Sequence, residues 1–113
     1  MNNRRVVVTG MGAVTPVGNN VEDTWQSLIN GRHGIGPITL FDTEGYKATL
    51  AGEVKNFEPR DYMDKQEILR SDRFAQLAVA AATQAVEETG VIGTLEPDRV
   101  AVYFGTGIGG VTT

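Results

Sequence analysis

The residue types that carry most enzyme chemistry are scarce in this chain of 113 residues, which has no cysteine and a single histidine, His33. Thiolate nucleophiles, thiolate metal ligands and disulfides are excluded for the chain itself, as are mechanisms that use two imidazoles. His33 stands between Arg32 and Gly34 with no neighbouring carboxylate, the setting of a solvated surface histidine. Glu87 and Glu88 read as solvation near a helix end, because no second carboxylate lies at a spacing suited to acid–base work. The stretch richest in chemical content is Gly105-Thr106-Gly107-Ile108-Gly109-Gly110. Its Gly105-x-Gly107-x-x-Gly110 spacing matches the dinucleotide fingerprint, in which glycine lets backbone amides approach a pyrophosphate. That reading also needs a following helix and an acidic residue about twenty positions on, so a nucleotide-binding module is the weaker alternative. A bulky Ile108 on a pliable glycine backbone can instead close the end of an apolar pocket and limit an alkyl ligand. Plain packing is the competing account.

The elements that would position this loop are legible in part. Residues 4–9, Arg-Arg-Val-Val-Val-Thr, form a short β-branched run closed by Gly10, as expected for a strand buried on both faces. The loop after it, Gly10 to Gly18, departs from the nucleotide fingerprint because Thr15 stands where the third glycine belongs. Asn20 is placed to cap a helix over about residues 21–30, with Glu22 and Asp23 in its first turn and Gly31 at its end. Its apolar positions Val21, Trp25, Leu28 and Ile29 predict one buried stripe. Residues 32–61 read as a long connection with one short strand near 50–54. Residues 64–89 are helix-rich, with a break near Ser71 and a second helix whose apolar face is Phe74, Leu77, Ala78, Ala81, Ala82, Ala85 and Val86. So many alanines predict close approach to a neighbouring backbone. After a turn at Glu96, Pro97 and Asp98, residues 99–104 read as another strand. The order strand, helix, helix, strand predicts an α/β fold with a mostly parallel sheet.

Composition narrows the partners. The net charge of −4 and the absence of any Lys/Arg run argue against a nucleic-acid surface, which needs a concentrated basic face. No apolar stretch is long enough to span a bilayer, and a short valine run replaces a signal-peptide core; a cytoplasmic protein is expected. Lys65, Arg70 and Arg73 could offer a small basic face to an acidic partner, although Asp64, Glu67 and Asp72 are interleaved with them. The glycine loop lies close to Thr113 with no element after it, so residues 1–113 are expected to be an incomplete domain. A half-built sheet exposes edges and apolar faces, and the isolated chain is expected to fold poorly.

Several segments together resemble one family. Arg4-Arg5-Val6-Val7-Val8-Thr9-Gly10, Thr15-Pro16-Val17-Gly18-Asn19, Trp25 with Leu28 and Gly31, Gly34-Ile35, Phe41-Asp42, Asp72-Arg73-Phe74-Ala75-Gln76 and the 105–110 loop are similar to the opening of the β-ketoacyl-acyl-carrier-protein synthases, the elongating condensing enzymes of type II fatty acid synthesis. The resemblance covers essentially the whole chain. It implies a thiolase-like layered αβαβα fold, a homodimer, and decarboxylative condensation of an acyl-enzyme with malonyl-acyl carrier protein. Its cysteine and two histidines would lie beyond this chain, which supplies no catalytic residue. No cofactor or metal is implied; acyl carrier protein and acyl and malonyl thioesters are the implied partners. Ile108, with Gly107 beside it, matches the isoleucine at the inner end of the acyl pocket. Lys65 and Arg70 fall where relatives carry a basic cluster that docks the carrier, while Gln66, Ile68 and Leu69 depart from it. A polyketide ketosynthase would share the same opening, and a non-catalytic scaffold or interaction fragment is the alternative from another class.

Overall fold

The computed structural model describes residues 3–111; the ends of the expected 1–113 unit, Met1–Asn2 and Thr112–Thr113, lie outside them. Helix α1, Val21–Ile29, begins where the Asn20 side chain accepts a 2.8 Å hydrogen bond from the Asp23 amide. Glu22 and Asp23 complement the positive end of the helix, and Gly31 takes the left-handed φ of +67° that stops it. Strand β1, Ile35–Pro37, pairs antiparallel with β2, Leu50–Gly52, in the register Ile35 to Gly52 and Pro37 to Leu50. A single-turn 3₁₀ helix, Pro59–Asp61, leads into α2, Lys65–Arg70. In α2 a reciprocal capping box joins Asp64 and Glu67. Helix α3, Arg73–Thr89, follows after Ser71 and Asp72 and ends at Gly90 with φ +63°.

The alanine side of α3 receives the amino-terminal loop. A Cβ on Gly10 would lie 2.5 Å from the Ala85 carbonyl oxygen, and one on Gly12 only 1.8 Å from that of Ala81, so glycine is required where the two backbones touch. Hydrogen bonds fix the same contact. The Met11 amide donates to Glu88, and the Ala13 amide donates to Gln84 Oε1 at 3.0 Å. The amide nitrogen of Gln84 then reaches the Asn19 carbonyl at 2.8 Å and the Tyr62 hydroxyl at 3.0 Å. Close backbone approach to this helix is the packing its composition predicts.

Three expectations are corrected. Residues 4–9 and 99–104 form no strand, and the sheet among the described residues is the antiparallel β1–β2 pair instead of a mostly parallel one. A strand exists through the ladder it shares, and these two runs have no neighbour to share it with. Val6 is 93% exposed and Tyr103 97%. The stripe on α1 is also uncovered, with Trp25, Leu28 and Ile29 all more than half exposed. That helix is held from its polar side, where Ser27 Oγ donates to the Val17 carbonyl at 2.7 Å and Thr24 Oγ1 meets Thr15 Oγ1 at 3.0 Å.

Among the described residues Ala80 is the one fully buried apolar residue. The accessible surface of 9526 Å² far exceeds the roughly 6,000 Å² of a closed monomer of this mass. The radius of gyration is 17.2 Å, against about 13 Å for a compact domain of this length. The chain is a scaffold of docked elements with open apolar faces.

Candidate functional site

The glycine-rich segment forms a turn that rests on the start of α3. The Gly109 amide donates to Thr106 Oγ1 at 3.1 Å, and Gly110 adopts φ +82°. A Cβ on Gly109 would sit 2.6 Å from Cδ2 of Phe74 and 2.8 Å from two further ring carbons, so the backbone lies directly on that ring. Gly105 and Gly107 face open space. Ile108, between Gly107 and Gly109, is 82% exposed at the outer side of the turn. Just before the turn, Val102 and Phe104 line an apolar groove of about 670 Å³ with Phe74, Val79 and Val86 of α3.

Lys65 and Arg70 are exposed at the two ends of α2. The Asp64 carboxylate accepts from the Gln66 and Glu67 amides at 2.8 and 2.9 Å, and the Glu67 carboxylate accepts from the Asp64 amide at 3.0 Å. Asp64 and Glu67 are thus occupied in capping. The predicted sites are placed on separate elements, Gly107 and Ile108 on the turn and Lys65 and Arg70 on α2. His33 is exposed in the connection after α1.

A polar cleft of about 500 Å³ lies between the first loop and α1, lined among others by Thr15, Asn19, Ser27, Arg32 and Lys55. Lys55 Nζ donates to the carbonyls of Glu53, Gly34 and Pro16 at 2.9, 3.2 and 3.3 Å. Asn19 Nδ2 donates to the Lys55 and Asn56 carbonyls at 2.9 and 3.1 Å. Asn56 itself holds φ +55°, a left-handed conformation that asparagine tolerates better than most residues. Lys55 and Gln84 were not marked by spacing or composition. Gln84 carried one signal, being the amide in a helix side otherwise lined with alanine.

Glu53 closes the β1–β2 hairpin. Its carboxylate accepts from the Thr39 amide at 3.0 Å, the Thr39 hydroxyl at 2.8 Å and the Leu40 amide at 3.3 Å. These donors, the Thr39 amide foremost, hold its carboxyl below the ordinary value of 4.5.

A family model described as the β-ketoacyl synthase amino-terminal domain matches residues 3–113. The chain belongs to this family. The chain is 49% identical over 112 residues to the 3-oxoacyl-[acyl-carrier-protein] synthase 2 of Staphylococcus aureus strain COL, covering 98% of this chain and 27% of that protein. A protein of the same name from Synechocystis sp. is 49% identical over 109 residues, covering 96% of this chain and 26% of its own. Among solved structures, the ishigamide ketosynthase/chain length factor superposes with a TM-score of 0.71 at 42% identity, over 84% of this chain and 23% of the other. The chain thus spans about a quarter of the length of the relatives it matches. Among the described residues no helix is long and apolar enough to cross a membrane.

Proposed function

We propose that the complete protein containing this segment is an acyltransferase of type II fatty acid synthesis. In the reaction, a cysteine thiolate takes an acyl group from acyl carrier protein. Malonyl-acyl carrier protein loses CO₂, its enolate attacks the acyl-enzyme carbonyl, a carbon–carbon bond forms, and the C–S bond breaks to return the thiolate. Thioester exchange onto a thiolate is nearly balanced in energy, and imidazole donors stabilise the developing enolate oxygen. This chain has no cysteine and one histidine, so those groups belong to the remainder of the protein. The reading rests on the 49% identity along 98% of the chain to proteins named 3-oxoacyl-[acyl-carrier-protein] synthase 2.

Within that reading, Gly107 and Ile108 form the inner end of the acyl pocket, while Lys65 and Arg70 meet the acidic carrier protein. Residues 1–113 are the opening part of a layered αβαβα domain. The protein works in the cytoplasm as a homodimer, whose second copy and remaining layers cover the apolar faces left open here. The test is to supply the complete protein with malonyl-acyl carrier protein and a series of acyl carriers of increasing length. Formation of 3-oxoacyl-acyl carrier protein, detected by mass, is expected. Ile108→Phe should shorten the longest acyl chain accepted, and Lys65→Glu with Arg70→Glu should raise KM for the carrier with little change in kcat. Absence of any condensation product overturns the proposal.

The likeness to the ishigamide ketosynthase/chain length factor favours a second reading, a polyketide ketosynthase. Repeated condensation without intervening reduction of the keto group would distinguish it from a fatty acid synthase, whose product is reduced before it returns.

A further inference from the structure

Ile108 sits on a backbone with little stiffness of its own, flanked by Gly107 on one side and Gly109-Gly110 on the other. Its position depends on what tethers the turn. Two tethers converge on Gly109, whose amide donates to Thr106 Oγ1 at 3.1 Å. On its other side the backbone lies on Phe74, so closely that a Cβ would approach the ring to 2.6 Å. Gly105 and Gly107 meet nothing within 4 Å, so Gly109 is the point of the turn that bears on α3.

Phe74, 43% exposed, is carried by a well-fixed helix start. It is the second residue of α3, and its neighbour Arg73 stacks its guanidinium 4.8 Å above the Phe57 ring. Two residues on, the 8% exposed Gln76 donates from Nε2 to the carbonyls of Ser71 at 3.2 Å and Ile68 at 3.3 Å. The joint between α2 and α3 that carries Phe74 is therefore fixed by its neighbours Arg73 and Gln76.

We propose that Phe74 is a positioning residue for Ile108: its ring, pressed against the Gly109 backbone, sets the height of the glycine turn and thereby the length of acyl chain that the pocket end admits. The inference rests on the acyl-pocket reading of Ile108 and adds the residue that governs it. Removing the ring lets the turn sink and Ile108 swing away, which lengthens the accepted chain. Adding a methyl group at Gly109 has the opposite effect, because it forces the turn off the ring.

The experiment is a double-mutant cycle in the complete protein with Phe74→Ala, Gly109→Ala and their combination, together with Phe74→Leu as a milder variant. Two readouts are taken: hydrogen exchange of the residue 107–110 amides, and the chain-length profile of condensation products. Phe74→Ala should speed exchange of the turn about tenfold and extend the profile to longer chains, with Phe74→Leu between it and the parent. Gly109→Ala should shorten the profile, and the combination should recover most of that loss, a non-additivity of about tenfold for residues in contact. Additive effects with an unchanged profile overturn the proposal, in Phe74→Leu as well as in Phe74→Ala. Should the unsubstituted protein form no condensation product, the acyltransferase reading fails separately, and the exchange cycle alone decides whether Phe74 positions the turn: coupling keeps the assignment and additivity removes it.

Discussion

The first loop with α1 and the region from residue 99 to the glycine turn are both short, glycine-containing stretches, yet they are held in opposite ways. Around α1 the polar groups find one another locally. Thr15 pairs with Gly18 through two backbone hydrogen bonds of 2.8 and 3.3 Å, Ser27 binds the Val17 carbonyl, and Lys55 gathers three carbonyls from three segments. Beyond Val100, whose amide donates to the Pro97 carbonyl at 3.2 Å, residues 101–108 make no such bonds until the Gly109 amide donates to Thr106, and their large side chains, Val102, Tyr103 and Phe104, stand exposed. Hydrogen bonds are directional and can be satisfied within a few residues of chain, whereas apolar side chains gain only when another surface removes them from water. A segment can therefore be locally exact and globally uncovered.

The sharpest way to break this comparison is to study the 113-residue chain by itself. It should bind an apolar dye strongly and unfold without a cooperative transition, whereas the complete protein should do neither. A sharp calorimetric melt from a monomeric 113-residue chain would show that the exposed faces need no partner. Next in size is a paired glycine substitution in the complete protein. Gly12→Ala drives a methyl group into the Ala81 carbonyl and should cost about 2–4 kcal/mol by chemical denaturation. Gly105→Ala meets nothing within 4 Å in this segment and should cost less than Gly12→Ala. Equal effects would mean that the amino-terminal loop is no better anchored than the glycine turn.

The smallest effect is a titration. Because the carboxyl of Glu53 is lowered in the folded chain, its clasp on Thr39 and Leu40 stabilises the hairpin above the ordinary value of 4.5 and is lost as the pH falls through the lowered folded value. The Thr39 and Leu40 amide resonances should move together with a midpoint below 4.5, and Glu53→Gln should abolish the transition. A midpoint at or above the ordinary value would remove the clasp from the locally fixed class.

This division also explains what could be read from the sequence. The limits of α1 and the end of α3 were legible because Asn20, Gly31 and Gly90 act within one turn of themselves. The short strand near residue 50 was legible, but shorter than expected, since pairing stops with Gly52 opposite Ile35. Its partner was hidden by Pro37 and by a length of three residues. The valine runs misled because β propensity describes fit to a sheet, and the sheet has to be present. At the site, Ile108 was visible as an odd residue among glycines, whereas Phe74 looked like one more core position until Gly109 was found on its ring. Gln84 was missed because its three partners lie between 22 and 71 residues away.

The docking of Gly10 and Gly12 onto α3 has a further consequence in time. Residues 9–13 meet partners 71 to 80 positions later in the chain. At a synthesis rate of about 5–20 residues per second, this segment waits roughly 4–16 seconds for the helix that receives it. During that interval Val6, Val7 and Val8 form an uncharged β-branched run in the nascent chain. The two arginines immediately before them, Arg4 and Arg5, occupy the flank where charged gatekeepers oppose premature strand association.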